Sequence, residues 1–129
     1  MATQPIVLLA EDDAFLRRMY AKKFEQAGIP VLLAEDGEQA LAYATERMPS
    51  LILLDILMPK MDGFEVLAEL KKDARLKAIP VVLLTNLSEA GDVARAKQMG
   101  ASEYLVKAHF LPSEVIAAAR KYLAAEKKA

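Results

Sequence analysis

The chain has 129 residues, of which 54% are hydrophobic and 27% are charged, so it is long enough for one domain with its own core. Its 17 Lys and Arg residues nearly balance 18 Asp and Glu residues, and the net charge of −1 does not favour nucleic acid or a membrane as partner. The absence of cysteine excludes disulfides, thiolate metal sites and cysteine nucleophiles. Residues 1–5 carry no basic or long apolar segment, so we expect no signal peptide and a cytoplasmic location.

Five apolar runs that end at polar residues predict five strands. In chain order, these runs are residues 5–10, 30–34, 51–55, 79–85 and 103–107. The third run is the clearest, because four apolar residues lead directly into Asp55 and a proline-containing turn follows. We therefore expect Asp55 at the carboxyl end of a strand that is buried on both faces.

A helical pattern of apolar residues follows each predicted strand. Asp13, Asp36 and Ser88 stand where N-caps are expected for the first, second and fourth helices. Pro112 stands where the fifth helix should begin. The fourth helix has the poorest apolar face of the five, and weak packing is typical of elements that move.

The strict alternation of strands and helices predicts an α/β fold with a doubly wound parallel sheet. No linker or repeat divides the sequence, so we expect a single domain over residues 1–129, with no output domain in this chain. A strand order of 2-1-3-4-5 would place the ends of strands 1 and 3 side by side, at the point where ligands bind in such sheets.

Polar residues at the strand ends predict a phosphoryl-transfer site. Strand 1 ends at Glu11 and Asp12, strand 3 at Asp55, strand 4 at Thr85 and strand 5 at Lys107. Carboxylates without His or Cys favour a hard cation such as Mg²⁺ or Ca²⁺, and Mg²⁺ commonly shares its ligands with a phosphate. A hydroxyl and an ammonium suit phosphate oxygens. The set therefore indicates a Mg²⁺-assisted site with a carboxylate as nucleophile.

The same segments resemble the response-regulator receiver domains of two-component signalling, the CheY-like family. The matching segments are residues 8–13 (LLAEDD), 53–63 (LLDILMPKMDG), 83–85 (LLT) and 104–107 (YLVK). The resemblance covers the whole chain and implies a flavodoxin-like sheet of five parallel strands with five helices. Each segment alone is a weak signal, whereas all four in the family's order and spacing are specific.

The resemblance also implies roles for the acidic residues. Asp55 would accept a phosphoryl group from the phosphohistidine of a sensor histidine kinase or a histidine phosphotransfer protein. Asp12 and Asp55 would bind Mg²⁺ directly, Glu11 would act through water, and the backbone carbonyl of Leu57 would complete the protein ligands.

The remaining implied roles concern the switch. Lys107 would pair with the phosphoryl oxygens, and Thr85 would hydrogen-bond one of them in the active state. Tyr104 would turn inward as Thr85 moves. The surface of helix 4, strand 5 and helix 5 would then change its affinity for a downstream protein target.

The resemblance further implies a protein that acts through contacts. We expect no enzyme activity beyond self-catalysed phosphorylation and dephosphorylation, and a monomer or weak homodimer. Arg17 and Arg18, on the first predicted helix, are interpreted as a solvated face or as part of a surface that docks the kinase.

Two residues depart from the common pattern of the family. Ala108 follows Lys107 where the family usually has proline after a cis bond, and Asn86 follows Thr85 where a small residue is usual. A cis bond before alanine costs about 3–4 kcal/mol. The alternatives are a cis bond imposed by the fold or a trans bond with a different loop, and we favour the cis bond.

Three other functions were weighed. A haloacid-dehalogenase-like phosphatase also uses an aspartate nucleophile and Mg²⁺, but it needs an acid where this chain has Leu57, so we reject it. A phosphorylation-independent scaffold or dimerisation module remains open because of Asn86 and Ala108. The chain could also be cut from a longer regulator with a DNA-binding output.

Overall fold

The computed structural model describes residues 5–128. Residues 1–4 and 129, which belong to the predicted single domain, lie outside the described residues, as does most of the segment used to predict that no signal peptide is present. No helix in the described range is both long enough and apolar enough to cross a bilayer.

The centre of the fold is one five-stranded parallel sheet, as predicted. Its strands are β1 (Val7–Ala10), β2 (Val31–Ala34), β3 (Leu51–Leu54), β4 (Val81–Thr85) and β5 (Glu103–Val106). Their order across the sheet is β2-β1-β3-β4-β5, and all four neighbouring pairs are parallel. The direction in which the chain adds strands to the sheet therefore reverses between β1 and β3. The carboxyl ends of these two strands lie next to each other.

Four α-helices connect the strands, and a fifth follows β5. They are α1 (Ala14–Gln26), α2 (Gly37–Arg47), α3 (Gly63–Lys72), α4 (Ala90–Gln98) and α5 (Pro112–Lys128). The predicted caps of α1 and α2 are confirmed, because Asp13 accepts the Leu16 amide and Asp36 accepts the Gln39 amide. A short 3₁₀ turn (Lys107–His109) separates β5 from α5.

Two local predictions were wrong. The cap of α4 is Glu89 rather than Ser88, and its side chain accepts no amide of the helix. The described chain contains no cis peptide bond, so the Lys107–Ala108 bond is trans. Alanine lacks the ring that makes cis and trans nearly equal in energy before proline, and the chain enters the 3₁₀ turn with the ordinary geometry.

The core lies on both faces of the sheet. Alternate residues of the central strands point to opposite faces, so Leu8 and Ile52 pack under α2 and α3, whereas Leu9 and Leu53 pack under α1 and α5. All eight residues of β1 and β3 are buried. Because these strands are fixed from both sides, their carboxyl ends give the loops that follow them a rigid base.

Candidate functional site

The end of β3 places Asp55 in a narrow, nearly closed position. The residue is only 6% exposed. The first residue of α3, Gly63, donates its amide to the Ile56 carbonyl at 2.8 Å. A Cβ atom on Gly63 would lie 2.4 Å from the Asp55 carbonyl oxygen, so only glycine permits this approach. The Asp62 capping box then fixes where α3 begins.

Lys107 joins the ends of β1, β3 and β5. Its ammonium donates to Asp55 Oδ2 at 2.6 Å and also to Glu11 Oε1. Glu11 is 2% exposed, and its second oxygen accepts the Asp13 amide at 3.1 Å. The Lys107 ammonium is thus paired with both carboxylates, which offsets the free-energy cost of burying the three charged groups.

The protonation states follow from this pairing. Burial raises the pKa of Glu11 above its ordinary value, although the hydrogen bonds from Lys107 and the Asp13 amide oppose the shift. Burial alone would lower the pKa of Lys107, but the hydrogen bonds to Asp55 and Glu11 outweigh it and raise that pKa. Lys107 is therefore a fixed positive charge beside Asp55 at neutral pH.

The predicted acidic cluster forms. One carboxylate oxygen each from Glu11, Asp12 and Asp55 can be chosen so that all three lie within 4.8 Å of one another. Asp12 is exposed, whereas the other two are buried, so the cluster opens to solvent on the Asp12 side. An all-oxygen set with one open side fits a hard divalent cation that retains part of its water shell.

Leu57 lies at the same strand end, two residues after Asp55. Its amide donates to Asp55 Oδ1 at 3.3 Å, and its side chain is 59% exposed. An exposed leucine here supplies no second acid beside Asp55.

Arg17 has a role that the sequence interpretation missed. Its guanidinium donates to the backbone carbonyls of Glu11 at 2.8 Å and of Asp12 at 3.3 Å, and it reaches Glu35 at 3.3 Å. The side chain is only 14% exposed, so it is not part of a solvated face. Arg17 ties the loop that carries the acidic residues to the end of β2. Two adjacent arginines on a surface helix give no local signal that one of them binds the loop before the helix.

Thr85 and Tyr104 lie next to the cluster and do not belong to it. Thr85, the last residue of β4, is fully buried, and its Oγ1 accepts the Leu87 amide at 3.4 Å. Tyr104 on β5 is half-buried and donates its hydroxyl to the Leu87 carbonyl at 2.6 Å. Burial raises the pKa of Tyr104, and the carboxylates of Asp92 and Asp55 add to the shift.

The two residues that depart from the family pattern touch each other. The Ala108 amide donates to Asn86 Oδ1 at 3.1 Å. This bond joins the loop after β5 to the loop after β4. Asn86 is one residue beyond Thr85, and Ala108 is two residues beyond Val106, the last paired residues of the two strands.

Comparison with known proteins identifies the family and the fold. The family model "Response regulator receiver domain" matches residues 7–120. The chain belongs to the receiver domain family of response regulators. It is thus a receiver domain of two-component signalling, as the sequence resemblance implied.

Individual relatives agree with this assignment. The receiver is 36% identical over 129 residues to the probable transcriptional regulator ycf27 of Guillardia theta, covering all of this chain and 49% of that protein. Among solved structures, it resembles the chemotaxis response regulator CheY4 of Vibrio cholerae (TM-score 0.84, 30% identity, 93% of this chain and 99% of that one). It also resembles the Mn²⁺-bound response regulator Rcp1 (TM-score 0.75, 34% identity, 84% and 85% coverage).

The receiver spans about half the length of the curated relatives it matches. The match covers one part of each relative, and their names as transcriptional regulators describe the longer proteins.

Proposed function

We propose that this receiver is a phosphorylation-dependent signalling domain. Asp55 accepts a phosphoryl group from the phosphohistidine of a sensor histidine kinase or histidine phosphotransfer protein, in a reaction that requires Mg²⁺. The observation that carries the proposal is the Lys107 ammonium held between Asp55 and Glu11 at the carboxyl edge of the sheet. A buried carboxylate that already faces a fixed cation is arranged to receive a group rich in negative charge.

The proposed chemistry is a simple transfer. A carboxylate oxygen of Asp55 attacks phosphorus, the bond from phosphorus to the donor nitrogen breaks, and the electron pair stays on the imidazole. The product is an acyl phosphate on Asp55. The ammonium of Lys107, which now contacts Asp55 Oδ2, transfers its contact to a phosphoryl oxygen.

The residues present fit a divalent cation. Asp12 and Asp55 would bind it directly, Glu11 through water and Leu57 through its carbonyl. Bound Mg²⁺ would offset the charge on the phosphoryl oxygens during transfer. The Mn²⁺-bound relative supports a divalent ion in this family, and the open Asp12 side supports an ion that keeps water.

The output of the switch would be a change of surface. In the phosphorylated state, the Thr85 hydroxyl would turn to a phosphoryl oxygen and Tyr104 would leave the Leu87 carbonyl for an inward position. The face formed by α4, β5 and α5 would then bind a downstream protein. We propose that this domain makes no direct contact with nucleic acid or membrane, acts in the cytoplasm as a monomer or weak homodimer, and has no activity on other substrates.

Intact-mass spectrometry after incubation with acetyl phosphate tests the proposal. We expect the parent to gain one phosphoryl group with Mg²⁺ and none when the metal is chelated. Asp55→Asn should gain none, because the amide is not a nucleophile of comparable strength. Glu46→Gln, a change at an exposed acid on α2, should behave as the parent does.

A folded parent that gains no mass in Mg²⁺ would contradict the proposal. Circular dichroism of the same sample establishes whether it is folded. That result would favour the phosphorylation-independent scaffold or dimerisation module, which sedimentation can examine by measuring self-association.

A further inference from the structure

We propose that Asn86 is a positioning residue for Lys107, acting through its hydrogen bond to the Ala108 amide. This inference rests on the proposed function for its kinetic part, because Lys107 matters only if Asp55 is phosphorylated. The bond itself is a property of the folded chain.

The donor of this bond is the Ala108 amide. Alanine at position 108 carries an amide hydrogen that a proline would lack, and Asn86 supplies the acceptor at 3.1 Å. Both residues are exposed, so water could satisfy the amide if Asn86 were absent. The value of the bond therefore lies in the position it imposes and not in satisfying a buried group.

That position is next to the reacting groups on both sides. Asn86 directly follows Thr85, and Ala108 directly follows Lys107. The strand pairing ends at Thr85 and Val106, so backbone bonds between β4 and β5 no longer restrain the chain at Lys107. Beyond that point, a turn that closes from the Phe110 amide to the Lys107 carbonyl at 3.2 Å is local to its own loop. The Asn86 bond is what joins this loop to β4.

A looser loop would change how often the Lys107 ammonium is in place. Lysine has a long side chain with several rotatable bonds, so its head group is placed well only if its backbone is fixed. Asn86→Ala should therefore lower the rate of Asp55 phosphorylation by roughly three- to tenfold, the range expected for loss of one hydrogen bond.

A competing effect has the opposite sign. If Asn86 mainly crowds the approach of the phosphodonor, Asn86→Ala should speed phosphorylation, and the change should not depend on residue 108. The direction of the rate change therefore separates the two roles.

A double-mutant cycle with proline tests the bond. The rate of labelling by acetyl phosphate in Mg²⁺ is measured for the parent, Asn86→Ala, Ala108→Pro and the double variant. Proline removes the donor, so Asn86→Ala should slow labelling in the parent and have no effect when position 108 is proline. Ser88→Ala, at an exposed residue of the same loop, serves as the matched control and should match the parent.

Amide exchange by NMR gives a reading that needs no phosphorylation. The Ala108 amide should exchange several-fold faster in Asn86→Ala than in the parent or in Ser88→Ala. Equal exchange in all three would overturn the proposed bond, even in a chain that accepts no phosphoryl group. Faster exchange with unchanged labelling, or equal slowing in both backgrounds of the cycle, would overturn the positioning of Lys107. A parent that is never labelled would contradict the proposed function instead.

Discussion

Helices α3 and α4 pack on the same face of the sheet, yet they are fixed to very different degrees. Helix α3 has an Asp62 capping box and buries Phe64, Val66, Leu67 and Leu70. Helix α4 has no side-chain cap, and Ala96 is its one buried residue. The guanidinium of Arg95 reaches back over the Phe64 ring at 4.0 Å.

This difference would allow a small domain to combine a rigid site with a movable surface. The turn before α3 carries Asp55, so the firm anchoring of α3 fixes the Asp55 carboxylate. Helix α4 follows Thr85 and buries only Ala96 of its residues, so we expect it to shift at a smaller cost in free energy than α3 would.

The largest expected difference comes from the buried apolar contacts of the two helices. Leu67→Ala, at a fully buried position on α3, should lower the free energy of unfolding by about 3 kcal/mol. Val93→Ala, at a half-buried position on α4, should lower the free energy of unfolding by about 1 kcal/mol or less. Urea denaturation followed by circular dichroism measures both values. Equal losses would show that α4 is as firmly packed as α3.

Substitution by alanine should change stability in opposite directions at the glycines near the starts of α3 and α4. Gly63→Ala brings a Cβ within 2.4 Å of the Asp55 carbonyl oxygen, so it should cost about 2 kcal/mol and displace Asp55. Gly91→Ala on α4 meets no atom within 4 Å and should stabilise the chain by about 0.5 kcal/mol. Thermal unfolding compares the two, and a stabilising Gly63→Ala would contradict the close approach.

Changes to the N-caps of α3 and α4 should alter the free energy of unfolding by about 1 kcal/mol, in opposite directions. Asp62→Ala removes a capping box and should destabilise by that amount. Glu89 has an extended backbone like the other caps, so Glu89→Asp should supply the missing cap and stabilise α4 by up to about 1 kcal/mol. Hydrogen exchange within α4 should slow in Glu89→Asp. Unchanged exchange would mean that the cap does not limit the motion of α4.

The smallest effect is a shift in pKa that links α4 to the site. Asp92 on α4 helps to raise the pKa of Tyr104, so Asp92→Asn should lower it toward the ordinary value. Because the folded pKa is raised, Tyr104 contributes stability that is present below about pH 10 and lost as the pH rises through the folded pKa. Asp92→Asn should lessen this loss.

Carbon-13 NMR of the tyrosine rings measures that titration. Tyr122 is the internal control, since burial and its bond to Glu103 raise its pKa to about 12 independently of Asp92. A Tyr104 titration that is unchanged in Asp92→Asn would place α4 farther from β5 than the structure does.

Much of this comparison could be predicted from the sequence. The apolar runs are strong signals, so they predict the five strands and the weak face of α4, whereas the strand order is implied by the resemblance to receiver domains. The convergence of Glu11, Asp12, Asp55 and Lys107 followed from parallel strands, which bring their ends to one edge.

The errors all concern contacts between distant segments. Ser88 is the better cap by residue type, and only the path of the loop places Glu89 at the start of α4 instead. The Lys107–Ala108 bond could not be assigned because its environment includes Asn86, 22 residues away. Arg17 was interpreted as part of a solvated face or of a kinase-docking surface, and the first of these is wrong because it binds carbonyls that precede its helix. Such contacts depend on tertiary geometry, which periodicity does not report.

The backbone of one residue, Leu87, has a consequence for the direction of signalling. The Leu87 amide donates to Thr85, and the Leu87 carbonyl accepts the Tyr104 hydroxyl, so a single residue holds both side chains. Linkage between two sites is reciprocal in free energy. A protein that bound Tyr104 at the surface would therefore shift the position of the Thr85 hydroxyl. The position of that hydroxyl would change the protein's binding by the same free energy. The target of this receiver would then influence the phosphorylation of Asp55 as well as respond to it.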